Sequence, residues 1–389
     1  MKIAVLGGAG LMGRITVQDL LENPDIEHVT VGELHRKSAL AILGNLKDKR
    51  LKVESIDIKQ HDKLVALIKG HEVVINSTPY LLNLEVMKAC LEARVHYLDL
   101  GGLFKMTQRQ LELSAEFKKA GLIAVLGCGS TPGTTNIMAG YAAGRLDEVV
   151  SAEVKIGCAD FSRSESPLTP PYTMDTILDE FSLNPVIFEG GKFREVPPLS
   201  GEEEVIFPSP VGIQTACYTI HSEVATFPLS FKEKGIKRAS FRIAFPVEFY
   251  NKIKFLAELG FASDTRRTIH GVEVSPRKFL LSLISELPSP EGDADDCDVI
   301  RVEVHGKKNG LKVECRMESI VRPHSRWKVS AGALDTGVPA SIIAQMIADG
   351  QIRKRGVLPP EVCVDTEQYF KELALREMKV YSVTREEIT

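Results

Sequence analysis

The chain has 389 residues, 44% of them hydrophobic, which suffices for two domains with full cores. Its 48 basic and 52 acidic residues leave a formal net charge of -4 with no long basic tract, so nothing electrostatic supports nucleic-acid binding. The cysteines at 90, 128, 158, 217, 297, 315 and 363 form no CxxC pair, which argues against a disulfide framework or a zinc site and fits a reducing, cytoplasmic setting.

The first residues run from an apolar strand into a glycine turn and then an amphipathic helix. Gly8, Gly10 and Gly13, with Leu11 and Met12 between the last two, make a GxGxxG. Such a turn lets backbone approach a pyrophosphate, and free N–H groups at the helix start face the anion. Glu33 closes the second strand 20 residues beyond Gly13. An acid there accepts the ribose hydroxyls of an adenosine and favours NAD. His35, Arg36 and Lys37 follow, and a positive cluster of this kind suits the 2′-phosphate of NADP. NAD is the expected cofactor, with NADP the alternative. The start lacks the order of a signal peptide, and no stretch is apolar enough to span a membrane.

Strands are expected at 2–6, 28–33, 52–56, 72–76, 95–99 and 122–126, and helices at 11–22, 61–69, 83–93 and 107–120. This alternation predicts a Rossmann-type α/β fold, a parallel sheet covered on both faces. Residues 35–49 read as a short or irregular crossover. Ligands in such sheets lie beyond the carboxyl ends of the strands. There, Asp57 either reaches the adenine side or caps a turn. Asn76, Ser77, Thr78 and Pro79 are candidates for the cofactor. Tyr80 either projects toward the nicotinamide or simply packs. Asp99 ends the fifth strand, followed by Gly101 and Gly102. The loop Gly127–Gly133 places Cys128 and Gly129 beside the nicotinamide and substrate, with Asn136 on the helix it opens; the same loop can be a domain hinge.

After Gly133 the rhythm changes. A helix at 134–144 precedes strands near 149–158, 204–207, 215–220, 238–245, 270–274, 298–305 and 311–320. Asn309-Gly310 is a hairpin signal. Helices are expected at 173–182, 248–258 and 276–286, and the acidic segment 291–298 reads as a solvated connection. This predicts a second, α+β domain with a mixed or antiparallel sheet. In it His221 is suited to proton transfer near neutral pH, and Glu223 to gripping a substrate ammonium. Arg163, Arg194, Arg238 and Arg242 are candidates for a substrate carboxylate. Helices over 339–348 and 367–376 are expected to return to the first sheet. The domains are then 1–133 plus 332–389 for the dinucleotide and 134–331 for substrate and dimerisation.

The chain resembles the saccharopine dehydrogenase and lysine 6-dehydrogenase group. The resemblance enters through Val5–Gly13, Asn76 with Pro79-Tyr80, and His96–Gly102. Its most specific part is Gly129–Asn136, and Thr336–Ala340 and Lys354–Glu361 also match. It implies NAD or NADP in the first domain, substrate contacts and a homodimer interface in the second, and hydride exchange at a carbon bearing nitrogen. It implies Tyr80, Asp99 and the Cys128 region near the reacting face, and His221 and Glu223 on the substrate side. His221, assisted by Asp99 or Tyr80, is the expected proton relay. The expected reaction is oxidation of the ε-amine of lysine. Glutamate-forming saccharopine dehydrogenase, carboxynorspermidine synthesis and a non-catalytic dinucleotide sensor are the alternatives.

Overall fold

Strands buried on both faces read as unbroken apolar runs, and Val73–Asn76 is buried at every position. The computed structural model describes residues 1–288 and 292–388. Its first sheet has seven parallel strands, ordered Gly356–Leu358, Ile123–Val125, His96–Asp99, Val73–Asn76, Lys2–Leu6, His28–Glu33 and Leu51–Ser55. Lys2–Leu6 lies between the second and fourth strands of the chain, with Leu6 opposite both Gly32 and Asn76. Strand order reverses at that point, which opens a crevice at the carboxyl ends. The crossover expected to be irregular contains a helix, Arg36–Leu43. Only Ala39 and Leu43 of that helix are buried, too short an apolar stripe to be read from sequence.

The second sheet has nine strands and is mixed. Arg238–Ala244 runs parallel to Glu148–Asp160, while Asp296–Lys308 and Leu311–Val321 pair antiparallel beside it. Asn309 and Gly310 both take positive φ, 52° and 83°, as the tight turn between those strands requires. The strand expected at 270–274 is a separate hairpin of Arg267–Ile269 and Val272–Val274. A second hairpin, Val186–Glu189 with Lys192–Glu195, was not legible in the sequence. Of the acidic connection expected over 291–298, Glu291 lies outside the described residues. Its last residues instead begin the long strand Asp296–Lys308.

The helix expected from Pro339 begins eight residues earlier and spans Ala331–Ala348, with Pro339 inside it. The Ser330 hydroxyl accepts from the Ala333 N–H at 3.3 Å and caps its start. Small residues let it lie directly on helix Gly13–Glu22. A Cβ at Gly337 would sit 2.7 Å from the Met12 carbonyl, and Thr16 donates to the Gly337 carbonyl at 2.8 Å. Gly356–Leu358 then enters the first sheet. Val380–Glu386, by contrast, pairs with Leu311–Val321 in the second. The tail 332–389, expected to lie wholly with the first sheet, therefore serves both. No helix among the described residues is long and apolar enough to cross a membrane.

Candidate active site

The glycine turn is built by close approach. A Cβ at Gly13 would meet the Gly7 carbonyl oxygen at 2.3 Å, and one at Gly8 would lie 3.0 Å from both methyls of Val31. Gly7 takes φ +76°. The helix start that follows has no acid in its first turn. A cradle of bare backbone facing a helix N-terminus fits the pyrophosphate of a dinucleotide. Glu33 reaches back into this turn, where its carboxylate accepts from the Ala9 N–H at 2.6 Å. Arg36 points away and donates to the Val53 carbonyl at 2.7 Å. Asp57 accepts from the Lys59 N–H at 3.0 Å, the turn-capping alternative.

From this turn a cavity of about 480 Å³ extends between the two sheets. Gly10, Leu11, Met12, Gly13, the segment Ser77–Leu81 and Gly102 line one wall, and Tyr172, His221, Phe241 and a set of acids line the other. Several expected residues therefore meet in one place. Tyr80 bridges the domains, its hydroxyl donating to Asp179 at 2.9 Å. Burial, then the Asp179 charge, push its phenol pKa up.

His221 is the best-organised proton carrier on the wall. Its Nδ1 bonds to Glu223 Oε2, and its ring stacks on Phe241 with centroids 3.8 Å apart. Glu223 is fully buried. Its other oxygen accepts from the hydroxyls of Thr131, at 2.6 Å, and Thr135, at 2.8 Å. Burial alone would lower the His221 pKa, but the charge and hydrogen bond of Glu223, with Glu180, raise it above the ordinary value. Glu223 was expected to grip substrate; it stands behind His221 and orients it instead. With a strand expected near 215–220, His221 should stand at its end. The strand Ile213–Tyr218 stops earlier, and helix Glu223–Ser230 starts just after the histidine.

Most of the rest of this wall carries no signal in sequence spacing. Helix Met174–Ser182 turns Asp175, Asp179 and Glu180 to the cavity. Burial raises the Glu180 carboxyl to about 7, against the pull of the His221 charge. Arg277 lines the cavity, whereas Arg163, Arg194, Arg238 and Arg242 do not. Its guanidinium bonds to Asp179 at 2.7 Å and lies 3.6 Å from Asp175. Asp264, Asp298 and Asp335 complete the acidic lining.

Other expected residues stay out of the cavity. Asp99 is fully buried. Its oxygens accept from Gly101 N–H, Gly127 N–H, Tyr97 Oη and Gln110 Nε2 at 2.6–2.9 Å. It ties two glycine loops together and has no oxygen free for a substrate. Cys128 is buried, and burial raises its thiol pKa. Asn136 caps its own helix through the Gly133 N–H and donates to Glu361 at 2.8 Å. Gly129 packs against Thr336, where a Cβ would come within 3.1 Å. Asn76 is satisfied by Asn83 and Thr78, at 2.9 and 2.6 Å.

Comparison with known proteins matches the saccharopine dehydrogenase NADP binding domain over residues 3–125 and the saccharopine dehydrogenase C-terminal domain over 129–378. A carboxynorspermidine synthase from Vibrio alginolyticus is 26% identical over 381 residues, covering 91% of this chain and 90% of the relative. A carboxyaminopropylagmatine dehydrogenase from Synechocystis is 24% identical, covering 93% and 92%. The structure of glutamate-forming saccharopine dehydrogenase from Saccharomyces cerevisiae shares the fold with a TM-score of 0.76, at 17% identity and 99% coverage of each chain. These relatives overturn the expected lysine 6-dehydrogenase assignment. The glycine loops that carried that expectation shape the cofactor turn and the domain junction, and they contain none of the acids that line the substrate side. The matched NADP binding domain likewise moves the cofactor preference from NAD toward NADP. The chain belongs to the saccharopine dehydrogenase family and is an NAD(P)-dependent dehydrogenase.

Proposed function

We propose that this enzyme forms a carboxylated polyamine by reducing the imine between an amine and a carboxylate-bearing aldehyde. The observation that carries this reading is His221, held on a buried carboxylate within an acid-lined cavity that opens at the glycine turn. The names of the two relatives supply the substrate class. A carboxyaminopropyl group on nitrogen is what reduction leaves when that nitrogen has condensed with 2-amino-4-oxobutanoate.

In this reading residues 1–133, with the returning helix and strand of the tail, hold the cofactor, and the second sheet holds the substrate. When bound, the reduced nicotinamide supplies two electrons and one hydrogen to the carbon of the C=N bond. The chain's own residues manage the protons. The amine adds to the aldehyde to give a carbinolamine. With Nδ1 committed to Glu223, His221 presents Nε2 as its remaining proton-carrying atom. Its raised pKa favours the protonated ring, which can give the proton with which the carbinolamine oxygen leaves as water. The two threonine hydroxyls fix Glu223, and Phe241 fixes the ring plane, so the proton is delivered from a set direction. Tyr80, tied to Asp179, forms part of the wall facing it. A cytoplasmic homodimer is part of this reading on the family resemblance, and sedimentation tests the dimer.

The direct experiment is NADPH absorbance with 2-amino-4-oxobutanoate and 1,3-diaminopropane supplied together and singly. Consumption that needs both supports the reading. No consumption with both, under conditions where the protein is folded and binds NADPH, contradicts it.

A further inference from the structure

Along the strand Asp296–Lys308, alternate residues share a face. Ile300, Val302 and Val304 face the core from one side. The same stripe continues backward into Asp298 and Asp296, replacing apolar residues with carboxylates. Asp296 has a structural use: it accepts from the Ala331 N–H at 2.9 and 3.0 Å and helps start the long helix. Asp298 has no hydrogen bond or ion pair among the described residues, yet it lines the cavity. Gly332 beside it keeps the space open, since a Cβ there would come within 3.2 Å of Asp298 Oδ2. One turn along that helix, Asp335 is buried at 4% exposure and also lines the cavity. Its donors are neutral hydroxyls, Ser130 at 2.9 Å and Thr336 at 3.2 Å. The cationic groups of the cavity are already engaged, Arg277 with Asp179 and His221 with Glu223.

We infer that Asp298 and Asp335 form the subsite for the far ammonium group of a diamine or polyamine, so that the enzyme selects amines by their second positive charge. Asp335 is buried and Asp298 half-buried, and carboxylates drawn from water without a cation are costly. Burial raises both pKa values, helped at Asp298 by the charges of Asp296 and Asp160 and at Asp335 by the charge of Asp298. A ligand ammonium offers three donors and the missing charge. Among the described residues no group of three or more His, Cys, Asp or Glu is placed to hold a metal ion. The inference rests on the reaction proposed above and names the end of the substrate that the reaction does not touch.

The test compares 1,3-diaminopropane with propylamine, which has one amine and the same carbon chain. In the NADPH assay, Asp298→Asn and Asp335→Asn should each raise the KM for the diamine by about 30-fold, the scale of one lost charge-assisted contact, and that for propylamine by less than about 3-fold. Calorimetry of the NADP-loaded protein should show the wild type binding the diamine more tightly and both variants losing that preference. Variants that keep the preference, or that lose affinity equally for both amines, overturn the inference. A wild type that consumes no NADPH with any aldehyde and amine pair strikes the reaction instead, and calorimetry still decides the subsite.

Discussion

The two walls of the cavity follow opposite rules. The wall from the first sheet is defined by what side chains are missing: at Gly13, Gly8 and Gly7 backbone is packed so closely that a single methyl group has no room. The wall from the second domain is defined by what is present against the usual preference for apolar interiors. Glu180 and the His221–Glu223 pair are ionisable groups withdrawn from water, Asp298 is half-buried beside them, and Asp335 joins them from the returning helix. The first kind of wall costs little stability and suits any dinucleotide. The second sacrifices stability for selectivity toward one charge pattern.

Substitutions separate the two walls, and the glycine side should respond most. Gly13→Ala forces a contact of 2.3 Å on the Gly7 carbonyl, so dinucleotide affinity in a fluorescence titration should fall by about 100-fold or more. Unchanged affinity would mean that the turn does not bind the cofactor. On the other wall, His221→Ala should leave NADP affinity intact and reduce kcat by about 100-fold to 10,000-fold. A loss confined to NADP binding would move His221 out of the chemistry.

Glu223→Gln sharpens the proton argument. Glu223 raises the His221 pKa, while burial lowers it. Removing that charge leaves burial in command, so the alkaline limb of the kcat/KM profile should move to lower pH. A limb that stays in place would assign it to another group. The smallest effect concerns stability. The Asp298 pKa is raised in the folded chain, so its contribution is favourable at low pH and is lost as pH rises through the folded value. Asp298→Asn should therefore raise the melting temperature by about 1–3 °C at pH 8 and change it little at pH 5. Destabilisation at pH 8 would show that Asp298 has a structural partner.

The same contrast explains what the sequence revealed. The first six strands are legible because apolar runs, glycine turns and helix-period stripes agree with one another. Asp99 and Cys128 were drawn toward the site because they follow strand ends, where ligands usually lie. Their side chains turn inward to hold the loops, a distinction that spacing does not carry. Arg277, Asp179 and Glu180 come from two helices far apart in sequence, and only the tertiary fold brings them together. Asp298 did leave a trace, since it falls in phase with Ile300, Val302 and Val304. Its acidic neighbours made the segment resemble a solvated loop. Pro339 was read as a helix start, but it sits inside one, where small neighbours and close packing on helix Gly13–Glu22 hold the turn before it.

The central claim is that the enzyme reduces a carbon–nitrogen double bond. It is tested most directly with NADPH deuterated at the transferable position, 2-amino-4-oxobutanoate and 1,3-diaminopropane, followed by mass spectrometry. The account predicts one deuterium on the carbon next to a new secondary amine, and none incorporated when the diamine is left out. Deuterium appearing instead in an alcohol, with or without the diamine, would show that the aldehyde is reduced directly and would contradict the account.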